Sequence, residues 1–489
     1  MKQLTIRHAL LGTIALLAAA SSLASATPPR FIEQDCKLPA AGVPMRCGEV
    51  IVPESRDKPS GRTIALAVQV VLANRQPKQP DGIVVLGGGP GEILTDKAAA
   101  VAVGERDRDL ILLDQRGVGM SRPVLLCEEG RPEERIEGFL SRAERDRRLA
   151  GCAQRLSQSA DLSAYSTREN AADVVDVMQA LGYEKWNILG VSYGSRLALT
   201  VMRMQPKALR SVVLDSPYPP QVNGFDMQRP QFFAQLDVML ADCAANAGCA
   251  GAFPNLRSRV VKALQTIALE PVQAQVRSHR GGPAQSAKVG ARLVLGDLRS
   301  AMYDPAALPL LPAALNRLAN GDVAGYFAML DGPRGVTDQV RPMRPEQFAF
   351  GMQLSIQCQD DQAWAKGNPV RGDWPREVAD SYGSGYNIDD CKVWKVRSAD
   401  RSLHLPVHSD VPVLILAGQY DPVTPPELGR LLLADLKNAR LIVIPGAGHA
   451  LTRMPCGRSL IDQFAANPTG DLDERCVAEA AKSFKFRTE

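Results

Sequence analysis

The chain has 489 residues, of which 45% are hydrophobic and 22% charged, as in an ordinary globular protein. This length suffices for one large domain with an insertion or for two domains. The formal net charge of +4 is close to neutral, so charge gives no reason to expect nucleic acid or an anionic membrane as a partner.

Residues 1–26 have the pattern of a secretory signal peptide. Lys2 and Arg7 precede an apolar run over residues 9–20, and Ala-Ser-Ala at residues 24–26 is typical of a cleavage site. The run is too short for a stable membrane span, which makes an uncleaved anchor the less favoured alternative. No later uncharged run is long enough for a membrane helix. We therefore expect an exported protein, periplasmic or extracellular, with no membrane association after removal of the signal.

The next elements predict the start of a sheet. Residues 45–52 and 63–72 are expected to form an antiparallel pair. Residues 82–86 are mostly apolar, as in a parallel strand buried on both faces. That strand runs into Gly-Gly-Gly-Pro-Gly at residues 87–91. Because glycine lacks a Cβ, the N–H groups of such a loop can face a ligand, although a flexible turn has the same composition.

The following elements lead to a serine on a sharp turn. A strand at residues 109–113 precedes an amphipathic helix at residues 170–181. A short apolar strand at residues 186–189 is followed by Gly-Val-Ser-Tyr-Gly and a helix. Glycines on both sides of Ser192 suit a nucleophile elbow, in which the hydroxyl projects above the sheet edge at a helix N-terminus. The alternative is a serine in an ordinary strand–helix turn.

A nucleophile elbow is accompanied by an oxyanion hole. One donor is expected to be the backbone N–H of Tyr193, directly after the serine, and the other the N–H of Gly88 or Gly89. These groups would stabilise the negative charge that develops on a carbonyl oxygen under attack.

The pattern changes after a predicted strand at residues 211–214. From residue 220 to residue 402 the chain shows helical periodicity, proline breaks and few convincing strands. Its clearest helices are predicted at residues 228–243 and 345–356. We interpret residues 220–402 as a mainly helical cap inserted between sheet strands and lying over the active site.

Strand patterns return at residues 413–417 and 441–444. Strands that alternate with helices predict an α/β protein with a mostly parallel, doubly wound sheet. The core is then divided between residues 27–219 and residues 403–489.

The base and the acid are expected in loops that follow strands. A serine hydroxyl needs a general base, and the base needs an orienting acid. His449 follows the last predicted strand, whereas the other histidines of the mature chain lie in polar stretches. Asp421 and Asp215 both follow strands, at the side of the sheet where sites form. Asp421 preserves the chain order Ser, Asp, His and is favoured, which leaves Asp215 as a structural turn residue.

The ten cysteines are even in number and fall in near pairs along the chain. An exported chain meets an oxidising compartment, so disulfides are expected. The spacing does not determine the connectivity, and nearest-neighbour pairing is the simplest choice. A metal site is disfavoured because there is no Cys-x-x-Cys and no Cys/His cluster. No metal or other cofactor is therefore expected. The near pairs are Cys36/Cys47, Cys127/Cys152, Cys243/Cys249, Cys358/Cys391 and Cys456/Cys476.

Three motifs in order carry a family resemblance. Gly-Gly-Gly-Pro-Gly at 87–91, Asp-Gln-Arg-Gly-x-Gly-x-Ser at 114–121 and Gly-x-Ser-Tyr-Gly at 190–194 resemble the prolyl and tripeptidyl aminopeptidases. The exported, tripeptidyl-aminopeptidase-like branch of these α/β-hydrolases is the most similar. The resemblance implies an α/β-hydrolase fold with a helical cap, an acid at Asp421, and an aminopeptidase that releases short peptides or proline. Glu92 departs from the family pattern, where a small residue often follows the glycine loop.

An aminopeptidase must recognise a free α-ammonium, which favours a carboxylate in a confined pocket. Asp360 and Asp361 are candidates, because they resemble a cap segment of the family in which an acidic residue follows a cysteine by two. A solvated acidic pair beside a disulfide is the alternative. Glu92 is a further candidate.

The predicted function is that of an exported serine hydrolase, most simply an aminopeptidase acting on a peptide or another small molecule. An esterase or small-amide hydrolase on the same fold is the alternative, since the fold does not determine the substrate. A catalytically inactive binding domain is a third hypothesis, and it predicts a broken triad that the sequence does not show. The number of residues released, the side-chain preference and the oligomeric state do not follow from the sequence.

Overall fold

The computed structural model describes residues 29–101, 106–127, 141–278, 281–337, 348–367, 370, 372–383 and 387–489. The predicted signal peptide lies outside these residues. None of the helices in these ranges is long and apolar enough to cross a membrane.

Eleven strands are present in the described residues, nine of them in one sheet and two in a separate hairpin. They are β1 (Phe31–Gln34), β2 (Met45–Pro53), β3 (Thr63–Val71), β4 (Ile83–Leu86), β5 (Leu110–Leu113), β6 (Trp186–Val191), β7 (Leu209–Asp215), β8 (Val272–Ser278), β9 (Gly281–Val289), β10 (Val413–Gly418) and β11 (Ala439–Ile444).

The α-helices of the same residues cover both faces of the sheet and form most of the insertion. They are α1 (Ala98–Val101), α2 (Arg142–Leu156), α3 (Thr167–Ala180), α4 (Tyr193–Met204), α5 (Gly224–Ala245), α6 (Ala247–Ala252), α7 (Leu256–Leu269), α8 (Ala291–Met302), α9 (Leu311–Ala319), α10 (Val323–Asp331), α11 (Phe350–Asp360), α12 (Arg376–Ser381), α13 (Pro426–Leu432), α14 (Pro455–Ala466) and α15 (Arg475–Ser483).

The large sheet has the strand order β1-β2-β3-β5-β4-β6-β7-β10-β11. The strands β1, β2, β3 and β5 pair antiparallel, and every pairing from β5 through β4 to β11 is parallel. The central strands β5 and β10 are wholly apolar in sequence and wholly buried. The predicted α/β-hydrolase fold is confirmed, including the antiparallel lead-in pair β2–β3. Strand β1 was not predicted, because Phe-Ile-Glu-Gln is short, polar and mostly exposed at the sheet edge.

The insertion lies between β7 and β10 and has its own apolar core. Helix α5 begins at Gly224, where the Asn223 side chain accepts hydrogen bonds from the first N–H groups. Phe232, Phe233 and Leu264 are fully buried in this second core. The insertion also contains the β8–β9 hairpin, which the sequence analysis did not predict. Its strands carry many polar and small residues, so their alternation is weak.

All ten cysteines are paired between nearest neighbours, and no free cysteine remains. Two of the disulfides lie within or border the insertion and two others join elements of the core, while one ties the β1–β2 region. The pairs are Cys36–Cys47, Cys127–Cys152, Cys243–Cys249, Cys358–Cys391 and Cys456–Cys476.

Candidate active site

The predicted site residues follow neighbouring strands of the sheet. Ser192 follows β6, Asp215 ends β7, Asp421 follows β10 and His449 follows β11. These strands are consecutive and parallel in the sheet, so their carboxyl ends meet at one edge. The chain topology therefore gathers four polar residues from distant parts of the sequence.

Ser192 occupies a strained corner between β6 and α4. Its φ of 56° and ψ of −121° are unusual for a residue with a side chain. A Cβ on Gly194 would lie 2.0 Å from the carbonyl oxygen of Leu86, and a Cβ on Gly190 would lie 2.5 Å from the carbonyl oxygen of Gly194. Glycine is thus required on both sides of the serine, because strand and helix approach too closely for any other residue.

Asp421 and His449 form a buried hydrogen-bonded pair. The His449 Nδ1 lies 2.7 Å from Asp421 Oδ2, and the two residues are 7% and 0% exposed. The other carboxylate oxygen accepts from the backbone N–H groups of Val423 and Thr424, each at 2.9 Å. Burial alone would raise the pKa of Asp421, but the neighbouring His449 and these hydrogen bonds hold it below its ordinary value. The carboxylate is therefore ionised and fixed in orientation.

Asp215 contacts the loop that follows the histidine rather than the imidazole. Its carboxylate accepts from the N–H groups of Leu451 and Thr452 at 2.9 and 2.8 Å. Its backbone carbonyl accepts from the N–H of Ser192 at 2.9 Å. Burial raises the pKa of Asp215, which is completely enclosed. Asp215 thus links the serine corner to the histidine loop, and this geometry fits the structural role predicted for it.

The glycine loop passes beside the serine. A Cβ on Gly88 would lie 3.2 Å from the Cβ of Ser192. The N–H of Gly88 donates to Glu92 Oε2 at 3.1 Å, and the other oxygen of that carboxylate pairs with Lys97. Of the two glycines predicted as oxyanion donors, Gly88 therefore has its N–H directed to Glu92.

The remaining predicted donors, Gly89 and Tyr193, lie on the two elements that flank the serine. Gly89 has a φ of 101°, a backbone conformation that favours glycine. Tyr193 is the first residue of α4, where N–H groups have no acceptor within the helix. Both positions are compatible with the predicted role as oxyanion donors, which stays a prediction.

The three predicted amine anchors have different surroundings. Asp361 is buried and fully engaged, because Arg196 contacts both of its oxygens at 3.1 and 3.2 Å and Tyr218 donates at 2.9 Å. Glu92 is engaged by Gly88 and Lys97, as described above. Asp360 accepts a hydrogen bond from Thr167 on one oxygen, whereas its buried Oδ1 has no partner among the described residues.

The environment of Asp360 is linked to the serine corner. Thr167 Oγ1, which donates to Asp360, lies 2.9 Å from the hydroxyl of Tyr193. Asp360 is 1% exposed, and burial together with the neighbouring Asp361 raises its pKa to about 7, against the lowering effect of Arg196. Of the three candidates, Asp360 alone combines a carboxylate oxygen without a partner with proximity to the residue after the serine.

Tyr303 was not predicted as a site residue. It follows α8 in the insertion, and its ring centroid lies 4.6 Å from that of His449. Met302 approaches the same loop, since a Cβ on Gly448 would lie 2.1 Å from its carbonyl oxygen. No sequence signal marks Tyr303, because which insertion residue meets the histidine depends on how the insertion folds. Among the residues that the structure describes, no group of three or more His, Cys, Asp or Glu side chains could hold a metal ion.

Two family models match the chain. The α/β-hydrolase fold matches residues 83–252, and the TAP-like protein family matches residues 377–476. The serine protease Hip1 of Mycobacterium tuberculosis is 26% identical over 480 residues, which cover 90% of this chain and 87% of the relative. A tripeptidyl aminopeptidase of Streptomyces lividans is 25% identical and covers 89% of this chain and 83% of its own length.

A third relative is named as an esterase and not as a peptidase. Carboxylesterase B of Mycobacterium tuberculosis is 26% identical over 433 residues, which cover 83% of this chain and 80% of the relative. These matches agree with the observed fold and with the serine corner and its buried His–Asp pair. The chain is therefore a serine hydrolase with the α/β-hydrolase fold, and its residues 377–476 are similar to the TAP-like proteins.

Proposed function

We propose that the protein is an exported serine exopeptidase that removes short peptides or proline from the free N-termini of peptides. The observation that carries the chemistry is the 2.7 Å contact between Asp421 and His449, at the same sheet edge as Ser192. The similarity to a tripeptidyl aminopeptidase and to a serine protease, over 89% and 90% of this chain, supports peptides as the substrate class.

In the proposed reaction Ser192 Oγ attacks the carbonyl carbon of the scissile peptide bond. His449 Nε2 takes the hydroxyl proton and later gives it to the leaving amine, while Asp421 holds the proton on Nδ1. The N–H groups of Gly89 and Tyr193 stabilise the oxyanion, and loss of one such donor costs about 3 kcal/mol in the barrier. Water then hydrolyses the acyl-enzyme, with His449 acting again as the base.

We assign recognition of the substrate's α-ammonium to Asp360. A buried carboxylate oxygen without a partner is costly, and an ammonium donor from a ligand would satisfy it. Asp361 is less suited, because Arg196 and Tyr218 already occupy its oxygens. This assignment places the amino end of the substrate under the insertion, which supplies the wall that exopeptidase behaviour needs.

Export is supported by two features. Residues 1–26 have the pattern of a signal peptide. The five disulfides are typical of proteins that fold in an oxidising compartment.

An esterase is the second candidate function, and the similarity to a carboxylesterase favours it. The two functions differ in their dependence on a free amine. We expect kcat/KM for a free tripeptide anilide to exceed that for its N-acetylated form by at least about tenfold, since 1.4 kcal/mol corresponds to a factor of ten. Equal rates for the two anilides would favour the esterase.

Substitutions at Asp360 and Glu92 test the proposed amine anchor directly. Asp360→Asn should raise KM for the free anilide at least about tenfold and leave a small ester unaffected, because deleting one partner of a buried charge pair costs about 2–5 kcal/mol. Glu92→Gln is the matched control and should leave KM for the anilide unchanged. If Glu92→Gln alone gave the loss, the amine would lie beside the glycine loop instead.

A further inference from the structure

Tyr303 belongs to the insertion and lies against the catalytic histidine. Its ring centroid is 4.6 Å from that of His449, and the two ring planes make an angle of 49°. Its backbone is held close to the residue before the histidine, since a Cβ on Gly448 would lie 3.1 Å from the carbonyl oxygen of Tyr303. The residue also packs on an apolar cluster formed by Tyr218, Met227, Val423 and Leu428. Ring and backbone are both fixed, so the position of the hydroxyl group is fixed as well.

A guanidinium group orients this hydroxyl. Arg299, one turn earlier on α8, donates to the hydroxyl oxygen of Tyr303 at 3.1 Å, and its guanidinium carbon lies 5.3 Å from the centroid of the same ring. A guanidinium has donors only, so the tyrosine oxygen must be the acceptor in this hydrogen bond. The hydroxyl proton is therefore directed away from Arg299, and among the residues that the structure describes no acceptor for it is found.

The hydroxyl of Tyr303 keeps its proton at neutral pH. Burial raises the pKa of Tyr303 above its ordinary value, and the nearby Asp421 adds to this effect, which outweighs the opposing charge of Arg299. The guanidinium on the oxygen polarises the hydroxyl and strengthens its ability to donate. A protonated, polarised donor beside the catalytic base is suited to bind an oxygen atom of the substrate.

The contact with the imidazole identifies the part of the substrate that Tyr303 meets. His449 gives its proton to the leaving amine, so the leaving residue of the peptide must lie beside the imidazole. The amino end of the substrate is assigned to Asp360, which is linked through Thr167 to the residue after Ser192. The carbonyl group of the leaving residue is attached to the same Cα as the leaving nitrogen. It is therefore the backbone acceptor of the leaving part that lies nearest to the imidazole.

We propose that the Tyr303 hydroxyl, with its proton directed by Arg299, binds the backbone carbonyl oxygen of the first residue on the leaving side of the substrate. The inference rests on the proposed peptidase function and extends it to the leaving part of the peptide. The leaving group of a peptide carries this carbonyl, whereas those of anilides, alkylamides and simple esters lack it. Tyr303 is thus a specificity-determining residue that favours bonds followed by a further amino-acid residue.

Two substrates with the same acyl part test this proposal. Both carry a free-amine alanine tripeptide, joined in one to glycinamide and in the other to propylamine, which has nearly the same shape but no carbonyl group. The ratio of kcat/KM for the glycinamide substrate to that for the propylamine substrate measures recognition of the carbonyl. Tyr303→Phe keeps the ring against His449 and removes only the hydroxyl. We expect it to lower this ratio at least about fivefold, as for the loss of one hydrogen bond.

Tyr326→Phe is the matched control. Tyr326 is a buried tyrosine of the same insertion, and its hydroxyl donates to the backbone carbonyl of Val294 on α8 at 3.4 Å. This variant also removes one buried tyrosine hydroxyl from the insertion, and we expect it to leave the ratio unchanged. Thermal unfolding of both variants checks that they are folded, and chromatography of the released tripeptide measures both rates.

The outcomes separate this inference from the proposed function. A ratio within about twofold of the wild-type value in Tyr303→Phe, or an equal fall in Tyr326→Phe, overturns the assignment of Tyr303, while cleavage of both amides leaves the aminopeptidase proposal intact. If the wild type hydrolyses a small ester but neither amide, the peptidase proposal is wrong and this inference is overturned with it.

Discussion

Replacing Asp421 by asparagine should stop catalysis without unfolding the protein. One carboxylate oxygen accepts from the N–H groups of Val423 and Thr424, so the amide oxygen of asparagine must occupy that position. The amide NH₂ then faces His449 Nδ1 and donates to it. The imidazole proton is forced onto Nε2, where it blocks acceptance of the Ser192 proton.

The expected size of the effect follows from this tautomer reversal. An asparagine in place of the triad acid lowers kcat by about 10⁴ in other serine hydrolases. Each factor of ten corresponds to about 1.36 kcal/mol, so the barrier should rise by about 5.4 kcal/mol. The melting temperature should change little, because the two backbone N–H donors keep their acceptor.

Asp215→Asn provides the matched control. Both oxygens of Asp215 accept from backbone N–H groups, those of Leu451 and Thr452. An asparagine must therefore direct its NH₂ group toward one of these donors, which leaves a buried N–H without an acceptor at a cost of about 1–3 kcal/mol. This variant should lose stability while its kcat falls by less than about tenfold.

The assay compares kcat for a small ester and the melting temperature of both variants with those of the wild type. A fluorophosphonate probe, which labels the activated serine, gives an independent measure of Ser192 reactivity. Asp421 is not the orienting acid if Asp215→Asn is the slow variant, or if Asp421→Asn retains more than about a hundredth of the wild-type kcat.

Three further predictions concern other parts of the structure. Gly194→Ala should prevent folding, measured as loss of soluble monomer, because its Cβ would lie 2.0 Å from the carbonyl oxygen of Leu86; an active Ala variant contradicts this. Thiol titration of the denatured, unreduced protein should give no signal. Of the five disulfides, Cys243–Cys249 closes the shortest loop, so its removal should lower the free energy of unfolding the least. The pKa of Asp360 is raised to about 7, so its carboxylate ionises as the pH rises through that value, and KM for free-amine peptides should fall. Above about pH 8 the substrate's α-ammonium loses its proton, and KM should rise again. A pH-independent KM would count against Asp360 as the anchor.

The sheet could be predicted because its central strands have uniform environments. Residues of β5 and β10 are buried on both faces, so their sequences are continuous apolar runs. The polar residues that follow such runs lie at one sheet edge, and this rule together with the Gly-x-Ser-x-Gly pattern pointed to Ser192, Asp421 and His449. The preference for Asp421 over Asp215 came from chain order and from the family resemblance, and the structure places Asp421 against the imidazole.

The roles of the acidic candidates could not be read from the sequence. Asp360 and Asp361 are adjacent at the end of α11, but successive residues of a helix point in directions about 100° apart. Asp361 pairs with Arg196, and Asp360 accepts a hydrogen bond from Thr167. These partners lie more than 160 residues away in the chain, so only the folded insertion decides which carboxylate is neutralised and which keeps an oxygen without a partner.

Hydrogen bonds also join the insertion to the loop that carries Asp421. Asp242, on α5, accepts from the Tyr420 hydroxyl at 2.9 Å and from the Gln419 side chain at 3.0 Å. From the other side Phe484 packs on the Tyr420 ring, with centroids 5.6 Å apart. Because Tyr420 directly precedes Asp421, the position of the insertion and the position of the acid are coupled. The insertion therefore cannot be displaced as a unit without disturbing the contacts of the loop that holds Asp421 beside His449.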